Sequence, residues 1–161
     1  METAIDPGTV IGHVHLKVSD LERAERFYAD AFGFEVTARL GDTASFLSAG
    51  GYHHHIGLNT WQSRGGPPPA ANATGLFHFA ILYPTRAALA TAVKRLLEAG
   101  VEIDGVADHG VSEAIYLHDP DGNGIEIYRD RPREEWPLGP DGEILMTTDP
   151  LDVRELLNAA T

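Results

Sequence analysis

Three things are scarce or missing in this chain of 161 residues: cysteine, positive charge and long apolar runs. Without any cysteine, the chain has no disulfide, no thiolate metal ligand and no cysteine nucleophile, so a metal site must use His, Asp, Glu or water. Lysine and arginine number 12 against 24 acidic residues, and the net charge is −12. This balance disfavours nucleic acid and anionic membrane surfaces as partners, since phosphate binding needs clustered basic residues.

No apolar run approaches the roughly 20 residues that a membrane span needs. The N-terminal stretch Met1 to Asp6 lacks a basic region followed by an apolar one, which a secretion signal would have. We therefore expect a cytoplasmic protein without a membrane segment, whose partner is a small molecule or another protein.

The most informative stretch runs from Asp119 to Tyr128. Asp-Pro followed by Asp-Gly and Asn-Gly is typical of a tight turn, because proline presets φ and glycine accepts positive φ. Alternating segments on either side, Glu113 to His118 and Gly124 to Tyr128, predict a β-hairpin. In its second strand Glu126 faces away from two isoleucines, so this carboxylate needs a cation, a hydrogen-bond donor or water.

The chain contains the same pattern twice. Each copy begins with a strand and a helix, and His13 and His78 occupy matching places on the two opening strands. The two histidines are 65 positions apart, and Gly33 and Gly100, which end the two helices, are 67 positions apart. Three short strands follow each helix. We therefore predict an α+β fold of two tandem β-α-β-β-β modules, at about residues 10–61 and 76–130.

The remaining segments are a linker and a tail. Residues 62–75 are rich in glycine, proline, asparagine and alanine, which is typical of a connection. The tail, residues 131–161, is predicted to be an irregular wrap followed by a short amphipathic helix. We expect Trp136, Leu156 and Leu157 to dock on the domain or on a second subunit.

His13, His78 and Glu126 together form the set of two histidines and one carboxylate that leaves open positions on non-haem Fe(II). Taken singly, each residue has a structural interpretation, because a lone histidine on a strand is usually a hydrogen-bonded structural residue. The repeat favours the metal-site interpretation, since it places both histidines at equivalent positions.

Other polar residues are candidates for chemistry beside such a metal. His53, His54 and His55 are consecutive, and neighbours on a strand would face alternate ways, with His54 on the side of Ile56. A histidine in this run can serve as an acid or base near neutral pH. For His53 itself, a solvated edge residue is the preferred interpretation. Tyr116 lies across the hairpin from Glu126, and His109 lies in a loop that could reach the site. A core tyrosine and a surface histidine are the structural alternatives for these two.

With these residues placed, the chain resembles the vicinal oxygen chelate superfamily, which includes glyoxalase I, bleomycin-resistance proteins and type I extradiol dioxygenases. The resemblance spans about residues 10–130. It is carried by His13 to Leu21, Phe27-Tyr28, Gly75 to Ala80 and Asp119 to Glu126. Segments 51–61 and 109–116 are most similar to catechol 2,3-dioxygenases.

The resemblance implies a cupped mixed sheet around a metal-centred cavity, with His13, His78 and Glu126 as iron ligands. His54 matches the family's acid–base histidine, and His55 is the fallback because a shift of one residue is easy in this run. Tyr116 and His109 match residues that hydrogen-bond the catecholate.

The implied activity is Fe(II)-dependent extradiol cleavage of a catechol-like aromatic with O₂. Many extradiol enzymes have two such domains, whereas only one module pair is present here. We therefore expect a homodimer in which the tail or a second subunit completes the pocket.

Two alternatives remain open on the same scaffold. A glyoxalase-like lyase or isomerase would use Zn, Ni, Mn or Co, and it commonly takes a fourth ligand, often Glu, from the fourth strand. That strand offers His, Ile and Gly here, which weakens this alternative. A small-molecule-binding protein of the antibiotic-resistance type typically lacks the three metal residues that this chain retains.

Overall fold

A computed structural model describes residues 4–161 of the chain, and the fold starts with two modules of the same order. The elements of the first module are β1 (Val14–Lys17), α1 (Leu21–Arg26) with a π-helical continuation (Phe27–Phe32), β2 (Glu35–Leu40), β3 (Ala44–Ser48) and β4 (Ile56–Asn59). Those of the second are β5 (Phe79–Leu82), α2 (Arg86–Glu98), β6 (Gly105–Asp108), β7 (Ser112–His118) and β8 (Gly124–Asp130). The tail adds a 3₁₀ turn (Arg133–Glu135) and α3 (Val153–Leu157).

The strands form two four-stranded mixed sheets, ordered β1-β4-β3-β2 and β5-β8-β7-β6. In each sheet the first and last strands of the module are parallel neighbours, and the other pairs are antiparallel. The identical order in both sheets confirms the predicted α+β fold of two β-α-β-β-β modules.

The ends of the helices follow local sequence signals. Asp20 caps α1 by accepting a hydrogen bond from the backbone N–H of Arg23, and Thr85 caps α2 in the same way. Gly33 ends the first helical segment with φ of 87°, a left-handed conformation that favours glycine. These short-range rules explain why the helix end at Gly33 could be predicted from the sequence.

One face of each sheet packs against the helices. Strand residues that alternate along β1, β4, β7 and β8 are buried in a common core with residues of α1 and α2. The core side chains with the largest buried volume are Tyr28, Leu47, Ile56, Leu58, Leu89, Leu96, Ile115, Leu117, Ile125, Ile127 and Leu156. The strand residues that alternate with these core residues therefore lie on the opposite face of each sheet, and they include His15 and Glu126.

Two strands, β1 and β4, are shorter in the structure than the alternation in the sequence predicts, which is residues 10–18 and 52–59. β1 begins at Val14, and the exposed residues Val10 and Ile11 precede it. β4 begins at Ile56, so the three consecutive histidines lie in the preceding loop, and the prediction that His54 shares a face with Ile56 was wrong. Strand alternation does not apply to a loop, and these side chains are directed individually.

The turn before β8 joins the two modules. Asp119 accepts hydrogen bonds from the backbone of Asp121 and Asn123 at 2.9 Å each, and its other carboxylate oxygen accepts one from the buried Tyr28 hydroxyl at 2.9 Å. Asp121 accepts hydrogen bonds from the Ser19 hydroxyl and from Arg23 at 2.5 and 2.7 Å. A turn of the second module is thereby held against the first helix of the first module.

The tail docks through α3, which packs against α2 and buries Leu156 completely. Trp136 is half-buried, and its indole N–H donates to the carbonyl of Arg131. Within residues 4–161, no helix is long and apolar enough to cross a membrane.

We expect Tyr28→Phe to lower the free energy of unfolding by about 1.5–3 kcal/mol, because it removes a buried hydrogen bond to the Asp119 carboxylate. Chemical denaturation measures the change. Tyr52→Phe is the matched control, since Tyr52 is 42% exposed, and its effect should stay within about 0.5 kcal/mol. Equal effects of the two substitutions would contradict the role of the Tyr28 hydroxyl.

Candidate metal and substrate site

The closest pair of candidate metal ligands is in the second module. His78 immediately precedes β5, and Glu126 lies on the parallel neighbour β8, where it is in register with Ala80. The Nε2 atom of His78 lies 3.0 Å from Oε2 of Glu126. Both side chains are partly buried, so two donor atoms suited to a divalent cation converge on one point of the sheet surface.

Two further polar groups extend from this pair. Tyr116 is paired with Glu126 in the β7–β8 ladder, as the hairpin predicted, and its hydroxyl lies 3.4 Å from Oε1 of Glu126. Nε2 of His109 lies 2.7 Å from the same hydroxyl. Burial, followed by the nearby charge of Glu126, raises the pKa of Tyr116 to about 12. The phenol is therefore protonated at neutral pH and can donate a hydrogen bond.

The candidate residues of the first module form a separate cluster. His13 immediately precedes β1, at the place equivalent to that of His78, and its ring centroid lies 4.3 Å from that of His54. Nδ1 of His53 lies 2.7 Å from Nδ1 of His54. Burial, together with the charges of His13 and the other neighbouring histidines, lowers the pKa of His54, which favours the neutral imidazole.

His55 is directed differently from His54. Its Nδ1 atom lies 3.0 Å from the Ser48 hydroxyl and 3.3 Å from the backbone nitrogen of Ala49. The backbone of His55 bridges two strands, since its N–H donates to Leu47 and its carbonyl accepts from Val14. Of the two histidines proposed for acid–base chemistry, His54 therefore faces His13 and His55 forms structural hydrogen bonds.

The repeat makes a direct comparison of the two sheets meaningful. In the second module one row of residues crosses the sheet in the order Ala80, Glu126, Tyr116. The equivalent row of the first module is His15, Gly57, Phe46. Glycine therefore stands where the second module has its carboxylate, and the ring of His15 lies against Gly57, between Phe46 and Trp61.

The two clusters do not merge in a single chain as described. Among residues 4–161, no three His, Asp or Glu side chains form a group that could hold a metal ion. His13 has its contacts with His53 and His54, while His78 has its contacts with Glu126 and Tyr116. The structure thus brings together His78, Glu126, Tyr116 and His109, and it leaves His13 and His54 on the other sheet.

A buried carboxylate on β7 was missed by the sequence reasoning. Glu113 is only 3% exposed and accepts hydrogen bonds from Arg86 and Arg129, and Arg131 lies 3.6 Å away. Burial alone would raise the pKa of Glu113, but the hydrogen bonds from Arg129 and Arg86 hold it below its usual value. The cluster fixes β7, β8, the start of α2 and the start of the tail to one another.

The pairing of the tail with β6 was missed as well. Asp108 and Asp149 exchange two backbone hydrogen bonds. The N–H of Thr147 donates to the carbonyl of His109, and the carbonyl of Thr147 bonds to Nδ1 of the His109 ring. The only sequence signal was the concentration of arginine and aspartate around residues 129–131, which does not specify partners so far along the chain.

The structure thus defines the class of protein: two repeated β-α-β-β-β modules that carry histidine and carboxylate donors on the open faces of their sheets. The family model of the Glyoxalase/Bleomycin resistance protein/Dioxygenase superfamily matches residues 10–127. The chain belongs to this superfamily, which confirms the resemblance inferred from its motifs.

Several characterised proteins have similar sequences. Catechol-2,3-dioxygenase of Bacillus subtilis (strain 168) is 44% identical over 158 residues, which cover 98% of this chain and 54% of that protein. Biphenyl-2,3-diol 1,2-dioxygenase 3 of Rhodococcus globerulus is 29% identical over 74% of this chain and 63% of its own length. The chain thus spans between half and two thirds of the length of these relatives.

Solved structures share the fold. Lactoylglutathione lyase from Agrobacterium tumefaciens has a TM-score of 0.60 and 25% identity, and the match covers 77% of this chain and 96% of that one. A glyoxylase/bleomycin resistance protein/dioxygenase domain from Frankia sp. EAN1pec has a TM-score of 0.63 at 25% identity, with 76% and 98% covered.

We expect Gly57→Ala to lower the free energy of unfolding by about 1–3 kcal/mol, because overpacking forces neighbours to shift. A β-carbon at this buried position would lie 2.9 Å from Cγ of His15. Adding His15→Ala in the same chain should recover most of the loss, and a double-mutant cycle in denaturant measures the coupling. The same loss with and without His15 would show that this ring is not what requires glycine.

Proposed function

We propose that this chain is an extradiol ring-cleaving dioxygenase that acts on a catechol-like aromatic with O₂, with Fe(II) as its metal. The observation that carries the proposal is the connected set of His78, Glu126, Tyr116 and His109. Two potential metal ligands lie 3.0 Å apart, and a protonated phenol and an imidazole adjoin them. A ring-cleaving enzyme needs such a set, because it must bind a diol at a metal and hydrogen-bond its oxygens.

The donor atoms fit Fe(II) by their chemistry. An imidazole nitrogen and a carboxylate oxygen converge in the second module, and His13 supplies the second histidine of a 2-His-1-carboxylate set. A metal held by these residues would supply the redox chemistry that couples a diol to O₂. His13, His78 and Glu126 would hold this metal.

The other residues have roles in hydrogen bonding and proton transfer. Tyr116 donates or accepts a hydrogen bond at a substrate oxygen, and His109 orients the Tyr116 hydroxyl through its own hydrogen bond. His54, next to His13, is the proposed acid–base residue, and His55 remains the alternative in this role. Their common task is to hold and move protons while the two diol oxygens bind.

Sequence similarity supports the same activity. Catechol-2,3-dioxygenase of B. subtilis matches 98% of this chain at 44% identity, although this chain spans only 54% of that protein. Biphenyl-2,3-diol 1,2-dioxygenase 3 adds a second relative whose substrate is an aromatic diol. Both names are those of dioxygenases of aromatic diols, which is the substrate class proposed here.

The sheet register argues against the lyase alternative. A four-ligand site would need a carboxylate on β4, and Gly57 stands at the position equivalent to Glu126. Fold similarity to lactoylglutathione lyase does not supply the absent ligand. A 2-His-1-carboxylate set with open positions is the arrangement that this chain's residues can complete.

The test is anaerobic reconstitution with Fe(II), followed by addition of catechols and air. We expect a yellow ring-cleavage product from the wild type, measured by its absorbance, and stoichiometric iron by metal analysis. Glu126→Gln should lose both iron and product, because an amide is a poor ligand for this cation.

Two control variants sharpen this test. Glu98→Gln, at the exposed end of α2, should retain iron and activity, whereas His54→Gln should retain iron and lose ring cleavage. Stoichiometric iron in Glu126→Gln would remove Glu126 from the ligand set. Iron binding without product from any catechol would contradict the proposed reaction.

We further propose that the chain acts as a homodimer whose metal site combines the two modules of different chains. His13 has no contact with His78 or Glu126 within the described chain, and β1 and β5 lie at the edges of their sheets. Linker residues 62–75 could reach about 45–50 Å when extended, which allows modules to exchange partners. A second copy would then bring a β1 edge and its His13 to the His78–Glu126 pair.

Complementation tests this arrangement. His13→Ala and Glu126→Gln chains should each be inactive alone, but refolded together they should give about a quarter of wild-type activity, because random mixing makes half the dimers mixed with one intact site in each. Sedimentation measures the dimer. No recovered activity in a mixture that does form dimers would place all three ligands in one chain.

A further inference from the structure

The tail segment Thr147 to Asp149 pairs with the edge of the second sheet beside the candidate site. The N–H of Asp108 donates to Asp149, that of Asp149 to Asp108 and that of Thr147 to His109, at 2.9, 2.9 and 3.1 Å. Arg131, at the start of the tail, forms an ion pair with the carboxylate of the same Asp108. This segment, the tail strand, is thus held next to β6 by one isolated β-bridge and a third backbone hydrogen bond.

The same segment also bonds to the ring of His109. Nδ1 of His109 lies 2.7 Å from the carbonyl oxygen of Thr147. A carbonyl oxygen only accepts hydrogen bonds, so the ring must carry a proton on Nδ1. In the neutral ring Nε2 then has no hydrogen, and it can only accept.

This tautomer decides what Tyr116 does. Nε2 of His109 is 2.7 Å from the Tyr116 hydroxyl, whereas Oε1 of Glu126 is 3.4 Å from it. A hydroxyl has one hydrogen, and the shorter contact to an obligate acceptor takes it. The lone pairs of Glu126 are then not engaged by Tyr116, and the phenol oxygen presents its own lone pairs to the site.

We infer that the tail strand, through the carbonyl of Thr147, is the positioning element that sets the His109 tautomer and thereby directs the Tyr116 proton away from Glu126. This inference deepens the proposed function and rests on it for the catalytic consequence. The tautomer itself is a property of the metal-free chain, so it can be measured independently of any activity.

The experiment uses the full chain labelled with ¹⁵N-histidine and records long-range proton–nitrogen correlations at a pH where His109 is neutral. The signal is assigned by its loss in His109→Gln. We expect the wild type to show His109 protonated at Nδ1, the tautomer that an exposed imidazole disfavours in water. Protonation at Nε2 would overturn the inference.

The double variant Thr147→Pro with Asp149→Pro removes two of the three backbone hydrogen bonds that attach the tail strand. We expect loss of the Nδ1-protonated signature in this variant. Thr148→Pro is the matched control, because it introduces a proline into the same segment and should leave the signature unchanged. An unchanged His109 signal in the double variant would overturn the inference.

Kinetics then separate this inference from the proposed function. With Fe(II) and catechol, the double variant should have a kcat about 10- to 100-fold below that of Thr148→Pro, the usual cost of losing a group that orients the residues around a metal. Equal kcat values in two active variants would overturn the catalytic consequence. Absence of ring cleavage from every form, including the wild type, would overturn the proposed function, while the tautomer result would still decide the positioning role.

Discussion

The attachment of the Asp119–Gly124 turn to the first helix is the interaction on which the remaining architecture depends. Asp119 organises the turn through backbone N–H groups and binds the buried Tyr28 hydroxyl, while Asp121 binds Ser19 and Arg23 at the start of α1. Both oxygens of the buried Asp119 carboxylate have donors, which holds the turn in one position against the helix. Because β8 begins at this turn, the same contacts set the position of Glu126 relative to the first module.

Duplication explains how related sheets acquire different chemistry. The two modules share strand order and register, and a histidine precedes the first strand of each. Their central rows differ at all three positions, and Gly57 in the first module corresponds to Glu126 in the second. The second module therefore offers a ligand pair. The first offers imidazoles in contact with aromatic rings, His15 with Trp61 and His54 with Phe46.

The tail connects this chemistry to the periphery of the fold. Glu113 and its arginines hold the start of the tail against β7, α3 packs on α2, and the segment between them pairs with β6 next to His109. Each of these contacts joins residues that are far apart in sequence. A segment without regular secondary structure thus acquires a defined position from the charges and backbone groups around it.

The sequence by itself determined what depends on neighbouring residues. Turn chemistry at Asp119 to Gly124, caps at Asp20 and Thr85, and terminal glycines at positions 33 and 100 all act within a few residues, so the modules, the hairpin and the pairing of Tyr116 with Glu126 could be predicted. Only the tertiary structure decided where β4 starts, that His54 faces His13 while His55 bonds Ser48, and which donors reach Asp119, Glu113 and His109. These depend on contacts such as Tyr28 to Asp119, 91 positions apart, for which strand alternation and helical periodicity carry no information.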